Sequence, residues 1–199
     1  MFRALLFSLF ALALNCKSVD NLTKKKQLIT LIIEIDDQEQ LRSYSELMTE
    51  YRIDSTTVFK RGFYSLKSED GSRIFERGSS WKNTEQIEWH LLIDNLAMSN
   101  YIFGFDWKGD LPTIKWALGL MANQKGYVLP GFPVLSQDNP GDTYSILTEY
   151  NVVLKQSGYT IICLYNDSDE YNTALVKTEN VDQIIDKASQ INQKIFVFK

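Results

Sequence analysis

The chain has 199 residues, of which 44% are hydrophobic and 23% are charged, a balance typical of a globular domain. This hydrophobic content excludes an intrinsically disordered chain. The chain contains only 2 cysteines, too few for a disulfide scaffold. Its 21 basic and 25 acidic residues give a net charge of −4, which argues against a nucleic-acid-binding surface, because such a surface must be basic.

The N-terminus reads as an export signal. A short basic start at residues 1–3 precedes an uncharged apolar run at residues 4–14. That run has the length of a signal-peptide core and falls short of the roughly 18 residues that a transmembrane helix needs. Asn15 and Cys16 follow directly, an arrangement that resembles the acylated cysteine of bacterial lipoproteins. We therefore expect residues 1–15 to be removed and Cys16 to carry a lipid anchor; the alternatives are an ordinary signal peptide that releases a secreted protein, or a buried N-terminal helix.

A lipid anchor at Cys16 places the protein at a membrane of the cell envelope, on the outer membrane or the periplasmic face. Residues 16–27, which include three consecutive lysines, are expected to be a solvated tether. A single domain is predicted over residues 28–199. If Cys16 is acylated, Cys163 has no partner within the chain; it lies in an apolar run and is expected to be a buried, unreactive thiol.

The first part of the domain gives mixed signals. Residues 28–35 fit either a helix or a strand, and a helix is predicted over residues 36–51. Residues 54–82 are polar and contain glycines, which indicates turns and short elements. Residues 84–98 carry apolar side chains at helical spacing and predict an amphipathic helix.

Alternating elements follow. Residues 101–107 predict a strand whose odd-numbered residues are all aromatic and therefore share one face. Asp110 is expected to cap the next helix, and a loop rich in glycine and proline covers residues 125–141. Asp142 is expected to cap a third helix, which ends near Gly158.

The C-terminal part predicts a β-hairpin over residues 159–177, with its turn at residues 166–170. Asn180 is expected to cap a final helix, and residues 195–198 predict a short strand. Strands joined by a tight turn pair antiparallel. The order of elements therefore predicts an α+β fold with two layers, a mostly antiparallel sheet with helices packed on one face, best defined over residues 84–199.

Few residues suit catalysis. His90 is the only histidine and is expected on the partly exposed surface of its helix. One histidine and two cysteines argue against a zinc site, and neither a nucleophile-elbow serine nor a glycine-rich phosphate loop is present. No catalytic residue, metal or cofactor is assigned. The acidic segment at 166–170 has spacing compatible with a hard cation, but Asn, Asp and Ser are also the residues that hairpin turns favour.

Asp106, Trp107 and Lys108 end the predicted aromatic strand and precede a helix. Strand ends of this kind are where the sites of α/β proteins gather. The alternative, which we favour from the residues alone, is a structural ion pair between Asp106 and Lys108 beside a packed indole.

Two stretches carry a resemblance: residues 92–118, with Asp106-Trp107-Lys108, and residues 157–176. Together they resemble a family of bacterial domains of unknown function in which Asp-Trp-Lys follows the central strand and a Ser-Asp-x-Tyr hairpin lies near the C-terminus. The resemblance covers about residues 84–199, and Asn166 replaces a commoner small residue. It implies no activity. It marks five residues as possible binding residues: Asp106, Trp107, Lys108, Asp169 and Tyr171.

These features favour a lipid-anchored envelope protein that acts by binding rather than by catalysis. Its expected partners are the membrane, through the N-terminal lipid, and a protein, but no nucleic acid. The acidic balance also fits an immunity- or antitoxin-like module that neutralises a basic protein. A carboxylate-dependent enzyme is the second alternative.

Overall fold

The computed structural model describes residues 21–35, 37–53, 84–133 and 142–199. Its helices are α1 (21–33), α2 (Gln38–Ile53), α3 (Thr84–Met98), α4 (Leu111–Lys125), α5 (Thr143–Gln156) and α6 (Val181–Ser189). Its strands are β1 (Ile102–Asp106), β2 (Tyr159–Leu164), β3 (Glu170–Lys177) and β4 (Ile195–Val197). The predictions for Cys16, for residues 54–82 and for the loop at 134–141 lie outside these residues.

The four strands form one antiparallel sheet in the order β1-β3-β2-β4. In the middle of the sheet, Ala174 of β3 lies opposite Ile102 of β1 on one side and opposite Ile162 of β2 on the other. The predicted α+β class, the antiparallel sheet and the β2–β3 hairpin are confirmed.

Helices cover both faces of this sheet, whereas the sequence predicted two layers with helices on one face. The first core joins α1, α2, α3 and α6 to Ile102, Ile162, Leu164, Ala174 and Val176. The second core joins α4 and α5 to Phe105, Ile161, Cys163 and Leu175. Because consecutive strand residues are apolar, both faces of the sheet must be shielded from water, and a second helical layer does this.

The two predicted aspartate caps are confirmed. Asp110 accepts a hydrogen bond from the backbone N–H of Thr113 at 2.7 Å, and Asp142 accepts one from Ser145 at 2.8 Å. These bonds lower the pKa of both carboxyls, so both stay charged. A negative charge at a helix N-terminus also interacts favourably with the helix dipole.

The domain begins earlier than predicted. Residues 21–27, expected as tether, belong to α1, and residues 28–33 continue that helix rather than form a strand. Lys25 is buried and forms an ion pair with Glu88 of α3. The opposite charge on Glu88 offsets the cost of removing the Lys25 ammonium from water, so a lysine-rich segment can pack against the core.

The four aromatic residues at positions 101, 103, 105 and 107 do not all lie on one face of the sheet, although the sequence had predicted that they would. The strand begins at Ile102, so Tyr101 precedes it and packs in the first core, where its hydroxyl donates to Asp37 at 2.8 Å. Phe105 packs in the second core with the half-buried Phe103 against it, as alternation requires. Trp107 follows the strand and is exposed.

A buried lysine, Lys125 at the end of α4, contacts the end of α1 and strand β3. The Lys125 ammonium donates to the backbone oxygens of Ile32 and Leu175, and lies 3.8 Å from a carboxylate oxygen of Glu34. The other Glu34 oxygen accepts from Asn180 at 2.6 Å, so Asn180 does not cap α6 with its side chain as predicted. Burial lowers the pKa of Lys125 to about 8, although Glu34 opposes the shift.

Cys163 is buried in the second core, as predicted. Burial raises the pKa of its thiol to about 12, which keeps it protonated and unreactive at neutral pH. None of the helices among the described residues has both the length and the apolar character required to cross a membrane.

Candidate functional site

Antiparallel pairing of β1 and β3 brings the two sequence-predicted segments together. Asp106 lies opposite Glu170, and Phe105 lies opposite Tyr171. The same end of the sheet meets the N-terminus of α5, because the backbone N–H of Thr143 donates to the carbonyl of Trp107 at 3.1 Å. We call this region the sheet-end site and define it by eight residues: Asp106, Trp107, Lys108, Asp142, Tyr144, Asp169, Glu170 and Tyr171.

Thr143 fixes the turn that carries Trp107. Its hydroxyl donates to the carbonyl of Asp106 and accepts from the N–H of Gly109 at 2.8 Å. A Cβ at position 109 would lie 2.9 Å from that hydroxyl oxygen, too close for any side chain without movement of Thr143. The buried threonine and the glycine therefore hold Trp107 in a defined position beside α5.

The Asp106–Lys108 ion pair that the sequence favoured is not the arrangement observed. The Asp106 carboxylate accepts from the backbone N–H of Lys108 at 2.8 Å, and the Lys108 ammonium lies 4.3 Å from the centre of the Trp107 ring. The indole is not packed into the core but is 51% exposed. The Lys108 ammonium therefore already makes a cation–π contact with one face of this ring.

Aromatic rings continue from the turn across the sheet. The ring of Tyr144 lies 6.1 Å from that of Tyr171 and 5.4 Å from that of Phe198. Desolvation raises the pKa of Tyr171, with smaller contributions from the charges of Asp142 and other neighbours. Tyr171 therefore stays a neutral hydrogen-bonding phenol at neutral pH.

Most charged groups of the sheet-end site are carboxylates. The site contains four carboxylates, those of Asp106, Asp142, Asp169 and Glu170, and one lysine, Lys108. Asp106, Asp142, Asp169 and Glu170 are all exposed. The site therefore presents negative charge beside exposed aromatic surface, a combination that suits cationic groups on a partner.

A further carboxyl group, that of Asp94 in α3, interacts electrostatically with Glu170 of the sheet-end site. Its Oδ2 atom is buried without a hydrogen-bond partner. Burial first, and the negative charge of Glu170 second, raise the pKa of Asp94 well above its usual range, which favours its protonated form. Asp94 thus adds little to the negative charge of the sheet-end site.

The acidic segment at 166–170 is organised as a turn. The Ser168 hydroxyl bonds to the Asn166 side chain at 2.7 Å and accepts from the N–H of Glu170 at 3.2 Å, and Asp167 adopts a left-handed backbone with φ of 56°. Within the described part of the chain, no three His, Cys, Asp or Glu side chains come together as metal ligands.

The sequence did not single out Asp142 or Tyr144 as site residues. Asp142 was recognised only as a helix cap, and Tyr144 reaches the site through the fold, since α5 packs against the sheet. His90 also differs from its prediction: it is only 9% exposed and lines a separate polar cavity.

A family described as "Domain of unknown function (DUF6630)" matches residues 25–198. The chain belongs to this family. The match begins inside α1, before residue 28, where the sequence alone placed the start of the domain. It includes every described strand and all eight residues of the sheet-end site. No curated protein and no solved structure matches the chain.

Proposed function

We propose that this DUF6630 domain is a non-catalytic binding module whose sheet-end site receives a basic segment of a protein partner, and that a lipid on Cys16 holds it at the cell envelope. The observation that carries the binding proposal is the half-exposed Trp107 indole in a turn tied to the N-terminus of α5, at an end of the sheet that also carries four exposed carboxylates. The signal-like sequence before Cys16 supports the anchoring proposal.

Exposed aromatic residues on a fixed backbone make good binding anchors. Trp107 is 51% exposed and Tyr144 37% exposed, and each has only two side-chain torsions to order. Tryptophan and tyrosine are over-represented among the residues that dominate binding energy at protein interfaces. Their position in the sheet-end site makes them the anchors that a partner would cover.

The charge of the site selects the partner. An arginine or lysine can stack on the Trp107 ring in the manner of Lys108 while a nearby carboxylate accepts its hydrogen bonds. Negative charge also speeds the approach of a basic protein, and salt screens this effect. A basic toxin neutralised by an immunity-like module is one partner of this chemistry.

We expect a hexa-arginine peptide to bind at the sheet-end site and a hexa-glutamate peptide not to bind. In ¹⁵N-labelled protein, the largest shift changes should fall on the Trp107 indole and on the backbone amides of Tyr144 and Tyr171. The Trp89 indole, whose N–H donates to the carbonyl of Tyr165 in the protein interior, should not respond. Binding should weaken as ionic strength rises.

A matched pair of variants tests which surface is used. Trp107→Ala should weaken hexa-arginine binding about tenfold, the loss expected for one aromatic anchor. Trp116→Ala removes an indole of similar exposure, 58%, that packs on Phe103 of β1, and should leave binding unchanged. Equal binding by the wild type and Trp107→Ala, or shift changes centred on another surface, would contradict the proposal.

A further inference from the structure

The start of α3 lies at the same end of the domain as the sheet-end site. At that end β1 finishes and β3 begins, because Asp106 lies opposite Glu170. β2 pairs antiparallel with β3 and therefore finishes there too. The Trp89 indole, in the second turn of α3, donates to the carbonyl of Tyr165, the residue that follows β2, at 2.8 Å. The first turns of α3 are thus fixed beside this end of the sheet.

The start of α1 lies at this end as well, and its C-terminus lies at the other. Lys25, in the second turn of α1, is ion-paired with Glu88, which precedes Trp89 in α3. Just beyond α1, Glu34 accepts from the backbone N–H of Lys177, the last residue of β3, at 2.8 Å. We call the end with the sheet-end site and the starts of α1 and α3 the anchor end, and the end with Glu34 and Lys177 the distal end.

The chain between Cys16 and α1 is short. Asn21 is the first described residue and already belongs to α1, so only residues 16–20 lie before it. Five residues span at most about 18 Å when fully extended. A domain of this size is about 40 Å across, and the 8 residues of β3 alone are about 25 Å long. A lipid on Cys16 therefore holds the anchor end near the bilayer and leaves the distal end pointing away.

The charge of the sheet-end site decides what it can meet at a membrane surface. Its carboxylates at Asp106, Asp142, Asp169 and Glu170 are all exposed. Anionic lipids give a membrane surface a negative potential, which repels carboxylates and attracts basic protein segments. The headgroups themselves are therefore a poor occupant of the site. A basic segment that lies against the bilayer is attracted by the membrane surface and by the site alike.

We infer that the lipid-anchored protein presents its sheet-end site to the membrane surface, and that the basic segment bound there belongs to a protein embedded in the same membrane. This inference rests on the proposed anchor at Cys16 and on the proposed function of the sheet-end site. It adds the orientation of the domain and the class of the partner.

Quenching by lipids with a nitroxide headgroup measures the orientation. Residues 16–199, which include every described residue, would be coupled through Cys16 to a maleimide lipid in phosphatidylcholine vesicles; the buried Cys163 does not compete. A fluorophore attached to p-azidophenylalanine would replace Trp107 at the anchor end or Val128 at the distal end. Val128 is 85% exposed and follows Tyr127, whose ring stacks on that of Tyr159 at the start of β2.

Quenching at position 107 should exceed quenching at position 128 about threefold, because a nitroxide acts only at short range and the two ends are separated by about the length of β3. A longer tether is the matched control. About 30 glycine and serine residues inserted between Asp20 and Asn21 add a flexible span of about 30 Å and should remove the difference. Equal quenching at the two positions with the natural tether, or a difference that survives the long tether, would overturn the orientation.

The class of the partner is tested in cells with benzoylphenylalanine in place of Trp107. We expect the captured protein to remain in the membrane pellet after extraction with sodium carbonate, as embedded proteins do. The long tether should lower the yield of adduct about tenfold, because it dilutes the site near the membrane surface.

The possible failures are distinguishable. Capture of a protein that carbonate releases, or a yield that the long tether leaves unchanged, would overturn the partner class and leave the proposed binding function intact. Capture of no protein would contradict the binding function and this partner with it. Equal palmitate labelling of the wild type and Cys16→Ala would remove the anchor, and with it this inference.

Discussion

Replacing Lys125 with alanine is expected to lower the free energy of unfolding by about 3–5 kcal/mol, the loss typical when one partner of a buried ion pair is removed. The substitution leaves the carbonyls of Ile32 and Leu175 without their donor, and leaves the Glu34 carboxylate without its neighbouring positive charge. Urea unfolding of both proteins at pH 7 measures the difference. Lys155→Ala, at an exposed lysine in the last turn of α5, is the matched control and should cost less than about 0.5 kcal/mol.

The same lysine gives a pH dependence of definite sign. Its folded pKa is about 8, below the ordinary value of 10.5, so between these pH values the unfolded chain holds a proton that the folded protein has released. The contribution of Lys125 to stability therefore increases as pH rises through this window, by up to about 3 kcal/mol. Tyr150 and Cys163 act in the opposite direction, since burial raises the pKa of each to about 12.

A comparison with Lys125→Met separates these effects, because methionine keeps most of the side-chain volume and does not titrate. The wild type should gain stability relative to Lys125→Met as pH rises from 7.5 to 10. A stability difference that stays constant over this range would show that Lys125 is not a buried cation with a lowered pKa. The same conclusion would follow if Lys125→Ala lowered the free energy of unfolding by less than about 0.5 kcal/mol, as expected for an exposed lysine.

Cys16→Ala is expected to abolish fatty-acid attachment completely. In cells of the organism that encodes the protein, an alkyne analogue of palmitate should label the wild type and not Cys16→Ala. Because acyl chains contribute about 0.8 kcal/mol per buried methylene, loss of the lipid should also move the protein from the membrane fraction to the soluble fraction. Cys163→Ala is the control and should be labelled normally, since that thiol is buried. Equal labelling of the wild type and Cys16→Ala would contradict the proposed anchor and favour an ordinary secreted protein.

The parts of the fold that were predicted correctly depend on neighbours in the sequence. Asp110 and Asp142 cap helices through bonds to residues three positions away, and the β2–β3 turn is stabilised by Asn166 and Ser168 within itself. Contacts of this range leave a pattern in the sequence that one chain is enough to reveal.

Several of the errors involve long-range contacts. Lys25 and Lys125 carry charges that favour a surface position, yet each is buried beside a carboxylate distant in the sequence. The Asn180 side chain bonds to Glu34 instead of to its own helix. Helical spacing identifies an apolar helix face but not the side of the sheet that it covers, so the second helical layer was missed.

The candidate site was predicted in part for the same reason. Asp106, Trp107 and Tyr171 were marked by resemblance, and β1–β3 pairing places Asp106 and Tyr171 at one end of the sheet. Tyr144 joins them only because α5 packs on the second face, which no local pattern indicates. The polar cavity lined by His90 is built from three segments far apart in the sequence and could not be foreseen.

Site-specific photo-crosslinking in the cells that make the protein tests most directly whether the sheet-end site is the binding surface. Benzoylphenylalanine would replace Trp107 in one variant and Trp116 in the other, two positions of similar exposure. We predict a covalent adduct with a protein that contains a basic segment from position 107 and not from position 116, and its loss when Asp106 and Asp169 are both changed to asparagine. Identical adducts from both positions, or none from position 107, would contradict the proposed function.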